Sequence, residues 1–171
     1  MPISRMNHAV LYVRDAERTA AFYTDVLGFT RLDMGGLKGA AFMRAPGSTN
    51  DHDLGLFTIG AEVGDSTAGR TTVGLYHLAW EVDTLDELER LGQALSERGA
   101  LVGASDHGTT KALYAHDPDG LEFELSWLVP AALIDDAALA AKSSVRPLDI
   151  TKEKERYGAT TRGGVGVSVP A

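Results

Sequence analysis

The chain contains no cysteine in its 171 residues. This absence excludes disulfides, thiolate chemistry and cysteine-ligated metal sites. The sequence also lacks any apolar run of membrane-spanning length, and the segment from Met1 to Arg14 lacks the apolar core of a signal peptide. We therefore expect a cytoplasmic protein that has no membrane partner.

Positive charge is scarce as well. The chain has 16 Lys and Arg against 24 Asp and Glu, which gives a net charge of -8. Nucleic acids and anionic membrane surfaces bind clusters of Lys and Arg, so neither is expected as a partner. Hydrophobic residues make up 44% and charged residues 23% of the chain, and both values are typical of one soluble globular domain.

The sequence contains an internal repeat. One half begins with His8, in NHAVLYVRD, and the other begins with His77, in YHLAWEV. In both halves an alternating strand pattern is followed by a polar turn and an amphipathic helix, predicted over 16–27 and 85–98. Glycines occupy the expected C-cap positions after these helices, Gly28 and Gly99.

Three shorter strands are predicted after each helix. In the first half they span 30–32, 39–44 and 53–59, and in the second half 101–102, 111–116 and 122–127. The turn sequence Asp117-Pro118-Asp119-Gly120 separates the last two strands. Each half is thus a βαβββ module, and we expect one domain over residues 1–130 with modules at about 6–59 and 75–127.

The remaining residues, 131–171, form a C-terminal tail. Its beginning, 131–142, is compatible with a short helix, and its end is rich in glycine. The tail has too many apolar residues for a solvated arm, among them Leu133, Ile134, Leu139, Leu148, Ile150 and Tyr157. We expect the tail to cover the surface of a subunit in a homodimer.

Strand alternation predicts which side chains share a face of the sheet. His8 lies on the sheet face opposite the apolar residues that should pack on the first helix. In the second module, His77 and Glu124 lie on the face opposite the apolar residues that should pack on the second helix. Tyr114 falls on this face too, so two histidines, a tyrosine and a glutamate are expected together. Glu81 and Glu122 could line the sheet face as well, but we expect them to be exposed at the surface. His116 is interpreted as a strand-end residue without a role.

Two imidazoles and one carboxylate form a complete ligand set for one divalent metal ion. They leave about three coordination positions open on one side of the ion, as in non-haem Fe(II) oxygenases. The alternative is that each histidine is a hydrogen-bonded strand residue and the glutamate a solvated one. The equivalent positions of His8 and His77 in the repeat favour the metal site, with Glu124 as the third ligand.

The sequence resembles the vicinal oxygen chelate superfamily, which includes glyoxalase I, bleomycin-resistance proteins, fosfomycin-resistance enzymes and type I extradiol dioxygenases. The resemblance covers about residues 6–127 and rests on NHAVLYVRD with AFYTDVLGF, YHLAWEV and ALYAHDPDGLEFELSW. It implies an α+β fold in which two βαβββ modules pair into a curved mixed-sheet cup with the helices outside. It also implies metal ligation by His8, His77 and Glu124, with Fe(II) as the expected ion and Mn(II), Zn(II), Ni(II) or Co(II) as alternatives.

One position distinguishes the subfamilies. Glu124 stands 47 residues after His77, and the residue that stands 47 after His8 is Gly55. Glyoxalase I shares this frame and takes a fourth metal ligand from the matching position, whereas glycine has no side chain that could coordinate a metal. The chain therefore resembles the extradiol dioxygenases, which use three protein ligands.

The resemblance further implies three catalytic residues. Tyr114 stands ten residues before Glu124, where extradiol dioxygenases have a tyrosine that contacts the catecholate. His52, in NDHDLGLF, matches their acid–base histidine, and His107, in SDHGTTKALY, matches a histidine that precedes the tyrosine. Strand alternation from Gly55 points His52 away from the metal, so His52 could instead belong to a polar turn. His107 could likewise be a loop residue without a role.

Three functional hypotheses follow. The leading one is a metal-dependent extradiol dioxygenase that cleaves a catechol-like aromatic, so that its partners are a small aromatic substrate and O₂. Well-studied enzymes of this kind often carry two such domains, whereas this chain has one. The second is a Lewis-acid lyase, isomerase or transferase of the glyoxalase or fosfomycin-resistance type, which consumes no O₂. The third is a non-catalytic small-molecule binding protein of the bleomycin-resistance type.

Overall fold

Two compact units make up the part of the chain that the computed structural model describes, residues 2–3, 5–69 and 71–164. The first contains the described residues up to Ser66 together with Asp117–Gly120, and the second contains the other described residues from Thr67 onward. Each unit holds one βαβββ module. The predicted α+β class and the duplicated module are therefore confirmed. None of the helices in these residues is long and apolar enough to cross a membrane.

The first module has a four-stranded mixed sheet in the order β1-β4-β3-β2. Strand β1 runs parallel to β4, and the other pairs are antiparallel. Helix α1 connects the first two strands. The elements are β1 (Ala9–Val13), α1 (Ala16–Leu27), β2 (Thr30–Leu32), β3 (Ala40–Arg44) and β4 (Leu54–Thr58).

Helix α1 begins and ends where the sequence predicted. The Asp15 side chain accepts hydrogen bonds from the first-turn amides of Glu17 and Arg18, as an N-cap residue does. Gly28 ends the helix in the left-handed conformation, with φ of 73°. On the adjoining strand β1, Leu11 and Val13 are buried and the intervening Tyr12 is exposed, which confirms the predicted alternation.

The second module repeats this arrangement in a sheet of order β5-β8-β7-β6-β9. Strand β5 runs parallel to β8, the counterpart of the β1–β4 pairing. Strand β6 is longer than predicted, because it pairs with β7 as far as Asp106, and its end also pairs with β9 from the tail. The elements are β5 (Leu78–Glu81), α2 (Leu85–Glu97), β6 (Leu101–Asp106), β7 (Thr110–His116), β8 (Glu122–Leu128) and β9 (Arg146–Pro147).

The C-terminal tail folds onto the second module of its own chain. The single helix expected over 131–142 is instead a 3₁₀ turn (Ala131–Leu133) followed by α3 (Asp136–Ala141), because the Asp135 side chain caps a new helix start. A further helix, α4 (Ile150–Tyr157), packs against α2. Residues 165–171 of the tail lie outside the described part.

A buried ion network holds α4 in place. The Lys111 side chain is fully buried, and its Nζ lies 2.5 Å from Asp106 Oδ1 and 2.8 Å from Glu153 Oε2. The ammonium also lies 5.5 Å from the centre of the Tyr157 ring, a cation–π distance. Burial raises the pKa of Asp106, but hydrogen bonds from Lys111 and Gly108 outweigh it and hold that pKa below its usual value.

We predict that Lys111→Met strongly destabilises the protein. The substitution leaves the Glu153 carboxylate in the interior without its cation and leaves Asp106 with Arg146 alone. Breaking a buried pair in this way typically costs about 3–5 kcal/mol. The free energy of unfolding of both variants is measured by chemical denaturation. Lys152→Met is the matched control, since Lys152 pairs with Asp149 at the surface and its side chain is 76% exposed. The control should lose less than about 1 kcal/mol, and equal losses would show that the Lys111 network is not a structural anchor.

Candidate functional site

In the first unit, His8 and His52 lie against each other. Their ring centres are 4.3 Å apart, and the His52 ring also meets the edge of Phe42 at 5.3 Å. His8 Nδ1 lies 2.7 Å from the side-chain oxygen of Asn7. An amide oxygen only accepts, so Nδ1 carries the hydrogen and Nε2 is left with a lone pair that could bind a metal.

Strand alternation from Gly55 does not describe the position of His52, whose ring lies against His8. Strand β4 begins only at Leu54, so alternation does not extend back to His52. The neighbouring Asp53 is buried and accepts hydrogen bonds from Ala45 N and from the side chains of Ser48 and Asn50. This fixes the Asp53 side chain in the loop before β4, while the His52 ring lies against His8.

Gly55 lies on the same face of the first sheet. It pairs with Val10 across β1 and β4, and a Cβ at this position would meet Val10 and Phe42 at 3.5 Å, which is ordinary contact. In the second sheet, Ala79 pairs with Glu124 in the same way. The register therefore places Gly55 and Glu124 at equivalent positions, as the spacing predicted.

In the second unit, the structure brings His77 and Glu124 together. His77 Nε2 lies 3.1 Å from Glu124 Oε2, and the Ser126 hydroxyl donates to the other carboxylate oxygen. Two ligand atoms about 2.0–2.2 Å from one ion and at right angles to each other lie roughly 3.0 Å apart. The 3.1 Å separation of the His77–Glu124 pair matches this distance and is also that of a direct N–H···O hydrogen bond.

Glu122 is the residue that sequence reasoning missed. We interpreted it as a surface residue, but its side chain is 21% exposed and faces His77. His77 Nδ1 and Glu122 Oε1 are both buried, and neither makes a hydrogen bond within the described residues, although they are 3.6 Å apart. Metal-bound histidines usually donate their second N–H to a carboxylate, so this pair fits a His77 whose Nε2 faces a metal.

Tyr114 and His107 form a second pair in the same unit. Tyr114 pairs with Glu124 across β7 and β8, and its hydroxyl lies 3.0 Å from His107 Nε2. Burial, followed by the charge of Glu124, raises the pKa of Tyr114, so the phenol stays protonated near neutral pH. The Tyr114 ring is 5.9 Å from the His77 ring. His116, on the same strand, lies 3.8 Å from Glu122.

The predicted residues therefore divide between the two units. His8, His52 and Gly55 belong to the first, and His77, His107, Tyr114 and Glu124 belong to the second. Within residues 2–3, 5–69 and 71–164, no group of three or more His, Cys, Asp or Glu side chains is arranged to hold a metal ion. The two predicted ligands that the structure brings together are His77 and Glu124.

Comparison with known proteins identifies the family. A family model described as the Glyoxalase/Bleomycin resistance protein/Dioxygenase superfamily matches residues 5–125. The chain belongs to this superfamily. The resemblance inferred from the sequence motifs is thereby confirmed. The tail, with β9, α3 and α4, lies beyond the matched residues.

Similar proteins of this superfamily include two curated dioxygenases. The chain is 31% identical over 124 residues to a catechol-2,3-dioxygenase from Bacillus subtilis (strain 168), which is 71% of this chain and 41% of that protein. It is 25% identical over 127 residues to a manganese-dependent 2,3-dihydroxybiphenyl 1,2-dioxygenase from Geobacillus genomosp. 3, which is 72% of this chain and 36% of that protein. The chain thus spans less than half the length of these relatives.

A solved member of the superfamily shares the fold. It is a glyoxylase/bleomycin resistance protein/dioxygenase domain from Frankia sp. EAN1pec, with 25% identity and a TM-score of 0.59. The match covers 73% of this chain and 92% of that one.

We predict that Gly55→Ala raises the free energy of unfolding by about 0.4–1 kcal/mol, because its backbone conformation suits alanine and the added Cβ finds ordinary contacts. Gly39→Ala is the control in the same module. A Cβ there also finds space, but φ is +72°, so alanine should lower the free energy of unfolding by about 1–2 kcal/mol. A large loss with Gly55→Ala in thermal denaturation would show that the position has no room for a side chain.

Proposed function

We propose that this chain is a metal-dependent extradiol dioxygenase that cleaves a catechol-like aromatic with O₂. The observation that carries the proposal is the His77–Glu124 pair, with its ligand atoms 3.1 Å apart and Glu122 behind His77. His8 is the third ligand predicted from the sequence. The two curated dioxygenase relatives support the choice within the superfamily.

The residues present fit a divalent ion with open coordination positions. Imidazole nitrogen and carboxylate oxygen suit Fe(II), Mn(II) and similar metals, and Gly55 offers no side chain to fill a further position. The chemistry that such an ion supplies is chelation of a vicinal diol next to O₂. Fe(II) is the proposed ion, and the manganese-dependent relative makes Mn(II) the first alternative.

The remaining site residues act on the substrate directly. Tyr114, held neutral opposite Glu124, contacts a substrate oxygen. His52 acts as the acid–base residue, a role that imidazole fills more often than any other side chain. The edge of Phe42 against His52 gives this part of the first sheet an apolar wall, which suits an aromatic ring.

Metal binding tests the ligand set first. We predict that His8→Ala, His77→Ala and Glu124→Ala each lose most of the Fe(II) or Mn(II) bound after anaerobic loading, because each removes one of three protein ligands. His116→Ala is the control, since this histidine also lies on the second module but its side chain is 46% exposed and not a proposed ligand. Metal content equal to wild type in all three ligand variants, measured with intact circular dichroism, would reject the site.

Glu122→Gln tests the support of His77 in the same assay. The amide keeps the size of the side chain but loses the charge that faces Nδ1. Changing the carboxylate that faces a metal-bound histidine typically weakens metal binding about 10–100-fold, and we expect a loss in that range. Unchanged metal affinity would show that Glu122 does not orient His77.

Ring cleavage is the last test of this function. Fe(II)-loaded protein should consume O₂ with at least one catechol and release a yellow ring-opened product. His52→Ala should slow turnover by about 10²–10⁴-fold without loss of metal, and Tyr114→Phe should also slow it. Protein loaded with redox-inactive Zn(II) is the control. No O₂ uptake on a broad panel of catechols and hydroquinones, by protein shown to hold Fe(II), would favour a Lewis-acid reaction of the glyoxalase type instead.

A further inference from the structure

His107 makes two ring hydrogen bonds that together define its tautomer. Nδ1 lies 3.1 Å from the main-chain carbonyl oxygen of Ser144, and Nε2 lies 3.0 Å from the Tyr114 hydroxyl. A carbonyl oxygen only accepts, so Nδ1 carries the hydrogen. A neutral imidazole has one N–H, so Nε2 accepts and the Tyr114 hydroxyl donates to it.

The segment that carries Ser144 is anchored on both sides of this carbonyl. Before it, α3 packs so closely on Gly108 that a Cβ there would lie 2.3 Å from the Ala138 carbonyl oxygen. After it, β9 pairs with β6, and Arg146 Nη2 lies 2.6 Å from Asp106 Oδ2. Both anchors are immediate chain neighbours of His107. The position of the carbonyl relative to the imidazole is therefore set by packing on residues 106 and 108.

The turn after α3 orients the carbonyl itself. The Ser144 amide and hydroxyl both donate to the carbonyl oxygen of Ala141, at 2.9 and 2.7 Å. Ala141, the last residue of α3, is buried, and Ser144 is half-buried. The carbonyl of Ser144 is left to accept from His107.

We propose that the C-terminal segment is a working part of the candidate site. The Ser144 carbonyl holds His107 in the Nδ1–H tautomer, and this makes the Tyr114–His107 pair an acceptor for the proton of a ligand hydroxyl. Ser144 acts through His107 and is thus a positioning residue. The inference rests on the proposed function only for the identity of that ligand as a catechol.

The proton transfer balances without any further reactant. The ligand O–H bond breaks as its proton passes to Tyr114 Oη, and the original Tyr114 proton passes to His107 Nε2. Tyr114 ends neutral, the ligand ends as an oxyanion, and His107 ends as an imidazolium whose Nδ1–H still donates to Ser144. With the other tautomer, Nε2–H would donate to Tyr114 and could not take its proton.

Nitrogen NMR of the full-length, metal-free chain tests the tautomer without reference to catalysis. Two-bond ¹H–¹⁵N spectra, recorded at a pH at which the ring nitrogens show a single proton, should show His107 protonated at Nδ1 and unprotonated at Nε2. His107→Gln assigns the signals. Ser144→Ala should keep the pattern, because it retains the carbonyl. Protonation at Nε2, or averaged shifts at both nitrogens, would overturn the inference.

Displacing the segment tests whether Ser144 is the cause. Gly108→Ala should push α3 away and turn the His107 signals into those of an averaged or Nε2–H ring. If that variant does not fold, Arg146→Ala loosens the other anchor with less steric disturbance. A folded variant in which the Ser144 amide resonance has moved but His107 keeps the Nδ1–H pattern would overturn the role of Ser144.

Kinetics of the Fe(II)-loaded enzyme test the consequence. His107→Gln should lower kcat by about 10²-fold or more, the usual contribution of a proton-transfer group, with a smaller change in KM. The displaced variant should lower kcat in the same direction. Wild-type kcat in a variant with the altered tautomer would overturn the proton-acceptor role. Absence of ring cleavage in wild type, with the Nδ1–H pattern intact, would instead reject the proposed function alone.

Discussion

The parallel pairing of the first and last strands in each module is the constraint on which the site depends. Parallel strands need a long connection, here a helix and two antiparallel strands, before the chain can return beside its own beginning. This return pairs each residue of the first strand with the residue 45 positions later, Val10 with Gly55 and Ala79 with Glu124. The His77–Glu124 pair is a direct product of that register, and so is the approach of His8 to the loop before β4.

The two modules share one strand register but have different residues at the equivalent position. The position that holds Glu124 in the second module holds Gly55 in the first, and both face away from the helix of their module. The second module therefore has a carboxylate on this face, while the first has no side chain at the matching point, which lies beside Val10 and Phe42. A duplicated fold can separate these roles because a change in one copy leaves the packing of the other unaltered.

Most of the fold could be read from the sequence because it follows local patterns. The bounds of α1, the alternation along β1 and the glycine C-cap at Gly28 all result from contacts within a few residues. What could not be read depends on tertiary contacts. Strand β6 was underestimated because its Gly103 and Ala104 have low strand propensity, and its length is stabilised by the distant β9. The charged sequence of helix α4 is typical of a surface helix, yet the Glu153 side chain is mostly buried and pairs with Lys111.

The same division applies to the candidate site. Residue type and spacing were sufficient to select His77, Glu124 and Tyr114, because strand alternation fixes the face of each. Alternation failed for His52, whose orientation follows from the hydrogen bonds of its neighbour Asp53, and for Glu122, which it placed on the correct face but could not show to be shielded by His77. The conformation of an irregular loop and the exposure of a side chain depend on tertiary packing, which the periodicity of a sequence does not predict.

The hairpin formed by β6 and β7 links the stability of the second module to its chemistry. Asp106 and Lys111, which anchor α4 and β9, lie on either side of His107, and Tyr114 is three residues further along the same strand. Because the tail contacts Asp106 and Gly108, a displacement of the tail is expected to move His107, which lies between them. The tail lies outside the residues that define the superfamily match. A chain that extends the common fold in this way can adjust the hydrogen bonding of one site residue without altering the strands that carry the proposed metal ligands.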